Sequence, residues 1–81
     1  ALEEYPLDAL KMVGTINTKS GSFALIKAPD GVVHRVTLRN HIGQNYGEII
    51  RITESEIGLL ELVPDGFGGW AQRPASVALS Q

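Results

Sequence analysis

Ser22-Phe23-Ala24-Leu25-Ile26-Lys27-Ala28-Pro29-Asp30-Gly31-Val32-Val33-His34-Arg35-Val36-Thr37-Leu38 is the stretch that decides the fold. Its middle is a turn with a mechanism. Pro29 pre-sets φ at the first corner, Asp30 can bond back to the backbone, and Gly31 takes the positive φ that closes a hairpin. On one side, Ser22 to Lys27 is apolar at successive positions, the pattern of a strand packed on both faces. On the other, Val32, His34, Val36 and Leu38 share one face of a second strand.

The same grammar extends in both directions. Leu10, Met12, Gly14 and Ile16 alternate with Lys11, Val13, Thr15 and Asn17, so a strand with Val13, Thr15 and Asn17 as its outward set precedes the turn Thr18-Lys19-Ser20-Gly21. Before it lies a lead-in over Ala1 to Ala9, in which Pro6 biases Tyr5 towards extended backbone and leaves room for at most one helical turn. After the hairpin, Arg39 to Gly47 is the longest irregular stretch. Glu48 to Thr53 and Ile57 to Val63 read as two further strands joined at Glu54-Ser55-Glu56. Pro64-Asp65-Gly66 repeats the turn chemistry, and the tail carries Pro74 and a short final strand, Ser76 to Leu79. No helical period runs far enough to compete. The prediction is an all-β chain: a small antiparallel β-sandwich or partly open barrel of about six to seven short strands. Residues 1–9 are an extended lead-in and residues 10–81 a single β-sandwich domain.

Composition narrows the function. With 81 residues the chain holds one core, and 43% hydrophobic residues are enough to build it. There is no cysteine, which removes disulfides and thiolate metal sites and fits either a reducing cytoplasm or an export route. No stretch approaches the roughly 20 apolar residues of a membrane helix. The chain begins at Ala1 without an initiator Met, which suggests an excised domain, so a missing targeting segment argues little. The net charge is −2 with a pI near 5.5, and the cations stand singly. That disfavours the rival reading of a small β-barrel nucleic-acid-binding module, unless Lys11, Lys19, Lys27, Arg35 and Arg39 assemble a basic stripe in three dimensions.

Catalytic chemistry has little to work with. His34 in a strand and His41 in the long loop lack the spacing of metal ligands or an acid–base pair. Glu54 and Glu56 flank a turn. Glu61 faces the same way as Leu59 and Val63, either as a sheet-edge charge or as a contact residue. Gly66-Phe67-Gly68-Gly69 precedes no helix and offers no phosphate cradle. The expectation is therefore no catalysis, no cofactor and no metal. Tyr46, Phe67 and Trp70 all sit beside glycines; either Trp70 caps one open end of the core, the first reading, or Tyr46 or Phe67 projects to a protein partner. What remains is backbone, because edge strands of a small sandwich carry unpaired N–H and C=O groups that accept a partner strand. Both the first strand and the final one are candidates.

Several motifs occur in order along the chain: Tyr5-Pro6-Leu7-Asp8-Ala9-Leu10-Lys11-Met12-Val13-Gly14-Thr15, then His34-Arg35-Val36, then Gly43-Gln44-Asn45-Tyr46-Gly47-Glu48-Ile49. Glu61-Leu62-Val63-Pro64-Asp65-Gly66-Phe67-Gly68-Gly69-Trp70 and Arg73-Pro74 follow. Together they resemble the PilP family, lipoproteins of type IV pilus biogenesis, over essentially the whole chain. The resemblance implies a C-terminal periplasmic β-sandwich domain, similar to the homology-region domain of GspC. It implies a lipid anchor at the inner membrane and a flexible segment, both outside this chain. That segment would contact the inner-membrane pair PilN and PilO, while the folded domain docks on the N-terminal periplasmic region of the outer-membrane secretin PilQ. The expected docking residues are Val13, Thr15 and Asn17 for strand pairing, flanked by Arg35, Arg39 and Tyr46.

Overall fold

The computed structural model describes residues 2–79. Seven strands follow in chain order: β1 (Lys11–Thr18), β2 (Gly21–Lys27), β3 (Val33–Val36), β4 (His41–Ile42), β5 (Gly47–Ile52), β6 (Glu56–Pro64) and β7 (Trp70–Ala78). They form a three-stranded sheet in the order β1-β2-β3 and a four-stranded sheet in the order β4-β5-β6-β7, antiparallel throughout. A single parallel bridge, Met12 to Leu79, joins the edges of the two sheets at one end. The predicted all-β, partly open sandwich is the observed architecture.

The lead-in differs from the extended segment predicted for residues 1–9. Within its described part, two single 3-10 turns, Leu2–Glu4 and Leu7–Ala9, flank the extended Pro6. They bury Leu2 and rest Tyr5 and Leu7 on the core. The proline's bias holds locally, since the first turn ends before Tyr5 and a single turn follows Pro6; hydrophobic burial accounts for the turns on either side. Ala1, Ser80 and Gln81, the ends of the two predicted segments, lie outside the described residues.

The turn of the central hairpin forms as read, but its second strand is shorter than the predicted Val32 to Leu38: β3 spans Val33–Val36, and Val32 and Leu38 lie outside it, exposed. Gly31 adopts φ 86°, its N–H donates to Ala28 O at 2.9 Å, and the Asp30 carboxylate accepts from Val32 N–H at 2.9 Å. Between the sheets lies a core whose largest fully buried side chains are Met12, Ile26, Ile42, Ile49, Ile57 and Leu59, each worth about 1.5–3 kcal/mol of burial. One expectation for β2 fails. Only its inner face, Ala24 and Ile26, is buried, while Phe23 and Leu25 are half-covered on a face that no layer overlies. Apolar residues on both sides of a strand are therefore no guarantee of burial on both.

The final strand is longer than predicted. Trp70 to Ala78 pairs continuously with β6 despite Pro74. Leu62 N–H donates to Asn45 O, away from β7, and alternation makes Leu60 do likewise towards β5. Pro74 stands opposite Leu60, so its ring nitrogen faces the open edge, where no donor is required.

Candidate functional site

The β1 edge is built by hydrogen-bond parity. Ala28 N–H donates to Val32 O, so within β2 the main-chain groups of Ala24 and Ile26 point to β3 and those of Phe23 and Leu25 to β1. The β1 partners of the latter are Ile16 and Gly14. Thr15 and Asn17 therefore turn their N–H and C=O groups outwards, along the open edge of the sheet.

Side chains on β1 do not follow the simple alternation read from the sequence. The register shifts between Met12 and Gly14, which makes Val13 an extra, bulged residue, 42% exposed. Beyond it the phase is inverted. Thr15 pairs with buried Ala24 and shares its core-facing side, while Ile16 pairs with Phe23 on the outer face and is exposed. Asn17 accepts a 2.7 Å hydrogen bond from the Ser22 hydroxyl. Val13, Thr15 and Asn17 thus share an edge, and they do not share a face as the unbroken period would require.

The flanking residues are dispersed. Arg35 lies on the outer face of the three-stranded sheet, its guanidinium carbon 4.8 Å from the centre of the Phe23 ring. Arg39 sits in the loop between β3 and β4 at φ 72°. Tyr46, at φ 54°, lies in the turn between β4 and β5 of the other sheet, where its ring meets His41 edge-on at 5.9 Å. Such left-handed conformations cost a non-glycine residue about 1–2 kcal/mol. Tyr46 helps to line an apolar cleft of about 520 Å³ together with Gln44, Asn45, Leu62, Pro64 and Trp70.

Trp70 corrects one expectation outright. It is 70% exposed and caps nothing, because its position opposite Pro64 in β7 places it on the outer side of the sheet. Phe67 projects from the turn at 94% exposure. In that turn the Asp65 carboxylate accepts from Phe67 N–H at 2.7 Å and Gly69 N–H at 3.0 Å, and these donors hold its pKa below the ordinary 3.8. Glu61 is neither edge charge nor contact residue. It lies on a central strand, 3% exposed, and accepts from the Arg73 guanidinium at 2.9 Å. Sequence reasoning missed this pair because its partner was hidden in what looked like a tail; the signal was Arg73, placed opposite Glu61 once Pro64 and Trp70 bracket a hairpin.

Comparison with known proteins places this geometry in a family. Residues 1–79 match the family described as Pilus assembly protein, PilP. The chain is similar to the type IV pilus inner membrane component PilP of Pseudomonas aeruginosa, with 41% identity over 80 residues that cover 99% of this chain and 45% of that protein. It thus spans a little under half the length of that relative. It is also similar to the structure of a domain from the type IV pilus biogenesis lipoprotein PilP of P. aeruginosa PA01, with TM-score 0.87, 42% identity, and 96% of this chain and 88% of that one covered. A domain from the Neisseria meningitidis PilP pilot protein aligns with TM-score 0.77 and 37% identity, covering 98% and 69% of the two chains. The family matched is a structural, non-enzymatic one. Sequence and fold agree along nearly the whole chain, and it belongs to the PilP family of type IV pilus assembly proteins.

Proposed function

We propose that this domain is a periplasmic scaffold of the type IV pilus assembly machinery that binds the N-terminal periplasmic region of the secretin PilQ. The longer protein is tethered to the inner membrane by a lipid anchor and reaches PilN and PilO through chain outside this domain, so that it links the inner- and outer-membrane complexes. The observation that carries the docking step is the open edge of β1. Thr15 and Asn17 present unpaired main-chain donors and acceptors there, beside the exposed bulge at Val13. Such an edge takes an added strand from a polypeptide partner, with main-chain hydrogen bonds for affinity and flanking side chains for selectivity.

Calorimetry of this domain against the N-terminal periplasmic domains of its cognate secretin tests the reading. Saturable one-to-one binding is expected. Val13→Asp should weaken it by more than about 1 kcal/mol, roughly five-fold, while the domain stays folded. Unchanged affinity in that variant would remove β1 from the interface, and no binding at all by the folded domain would overturn the partner.

A further inference from the structure

Residues 11–36 carry four cations, Lys11, Lys19, Lys27 and Arg35, against Asp30 alone, a net charge of +3. The whole chain stands at −2, so the remainder stands at −5. None of β1, β2 or β3 contains a carboxylate. Three of the four cations lie on one surface. Lys11 and Lys27 are directly opposed across β1 and β2, and Lys27 and Leu25 face Val33 and Arg35 across β2 and β3. This is the outer face that β2 leaves uncovered, with Leu25 and Val33 beside the charges and Ile16 and Phe23 in the next row of the sheet.

Two features of that face are unfavourable in isolation. Directly opposed like charges on a sheet repel, and among the described residues neither ammonium has an ion-pair partner; the two ion pairs, Arg51–Glu56 and Arg73–Glu61, both lie on the other sheet. The second feature is a run of partly exposed apolar side chains with no layer above it. An occupant presenting both carboxylates and apolar groups to this face, on every second residue of an extended chain, would answer both.

We infer that the outer face of the β1-β2-β3 sheet docks an acidic, extended polypeptide segment whose carboxylates meet Lys11, Lys27 and Arg35. The inference deepens the docking reading above, and rests on it for the partner's being a polypeptide. The face is continuous with the Thr15–Asn17 edge, whose main-chain groups pair only with another main chain. A nucleic acid fits less well. The one aromatic ring on the face, Phe23, is already covered by the Arg35 guanidinium and offers no free stacking platform, and the rest of the molecule repels phosphates.

The test titrates the isotope-labelled domain with a synthetic peptide of about eight residues, Val-Ser-Glu-Ser repeated, so that Val and Glu share one face of the extended chain, followed by amide NMR. Shifts are expected on β1, β2 and β3, weakening as salt is added. The triple variant Lys11→Glu, Lys27→Glu, Arg35→Glu alters only exposed side chains; it should lose the acidic peptide by about ten-fold or more and gain the Val–Lys counterpart. Thr15→Pro removes an outward-facing edge donor and leaves the charges in place. Loss of binding in Thr15→Pro with none in the triple variant would keep the edge and overturn the charged face. The reverse pattern would keep the face and discard the edge. Absence of binding, equal binding of the Val–Lys peptide to the parent domain, or tighter binding of oligothymidine or anionic vesicles would each overturn the inference.

Discussion

Arg73→Ala removes the one hydrogen-bonding partner that the Glu61 carboxylate has on β7, across 2.9 Å, and leaves the carboxylate on an inward-facing position of β6 between Leu59 and Val63. Taking one partner from a fully buried ion pair costs about 3–5 kcal/mol. Here only the acid is buried: the side chains of Glu61 and Arg73 are 4% and 55% exposed. Water already reaches the guanidinium and screens it, so the expected cost falls to about 2 kcal/mol, nearer that of a charged hydrogen bond. In a domain of this size that lowers Tm by about 8–16 °C. Urea unfolding followed by far-UV circular dichroism measures it, as a lower midpoint at unchanged slope. Glu61→Gln keeps an acceptor for Arg73 and should cost about half as much. The double variant should cost less than the two single losses added together, because the residues are in contact. A loss below about 0.5 kcal/mol in Arg73→Ala, or simple additivity in the cycle, would refute the claim that Arg73 is what allows Glu61 to be buried.

Three further outcomes follow from local geometry. A Cβ on Gly47 would stand 2.8 Å from the Ile42 carbonyl oxygen, whereas one on Gly58 meets the mobile end of Arg51 at 2.9 Å. Gly47→Ala should therefore destabilise by about 1–3 kcal/mol and Gly58→Ala by clearly less, and equal losses in chemical denaturation would count against this packing. Asp65, whose folded pKa is depressed by the amides of Phe67 and Gly69, stabilises its turn above the ordinary carboxylate value and loses that contribution as pH falls through the lowered one. An NMR titration should give a midpoint below 3.8 shared by those two amides, and a midpoint at or above it would show that the bonds do not form. Because Trp70 is 70% exposed, the folded domain should fluoresce like solvated tryptophan and shift little on unfolding; a strongly blue-shifted native spectrum would mean that the ring is buried after all.

Much of the fold was legible because its signals are local. Pro29-Asp30-Gly31 and Pro64-Asp65-Gly66 name their turns, and the runs beside them name strands β2, β3 and β6. The errors arise where a tertiary decision overrides a local one. Nothing in Met12-Val13-Gly14 announces a bulge, yet one extra residue inverts the phase of the rest of β1 and moves Thr15 inwards and Ile16 outwards. Pro74 reads as an end to pairing, and is harmless only because β7 is an edge. The candidate site was legible as an edge and illegible as a surface. Arg35, on β3, and Tyr46, in the turn between β4 and β5, are close in the reading but belong to different layers, whereas Lys11 and Lys27, far apart in sequence, are cross-strand neighbours.

Pro74 has one more effect, on what copies of this protein can do to each other. A domain that keeps an edge open for a partner also risks self-assembly, since the β1 edge of one molecule laid on the β7 edge of the next is a head-to-tail contact that need not close, and such contacts propagate into fibres. With a ring where the middle of β7 would offer an N–H, that ladder has a missing rung, so the open strand on one sheet is kept safe by a single residue on the other.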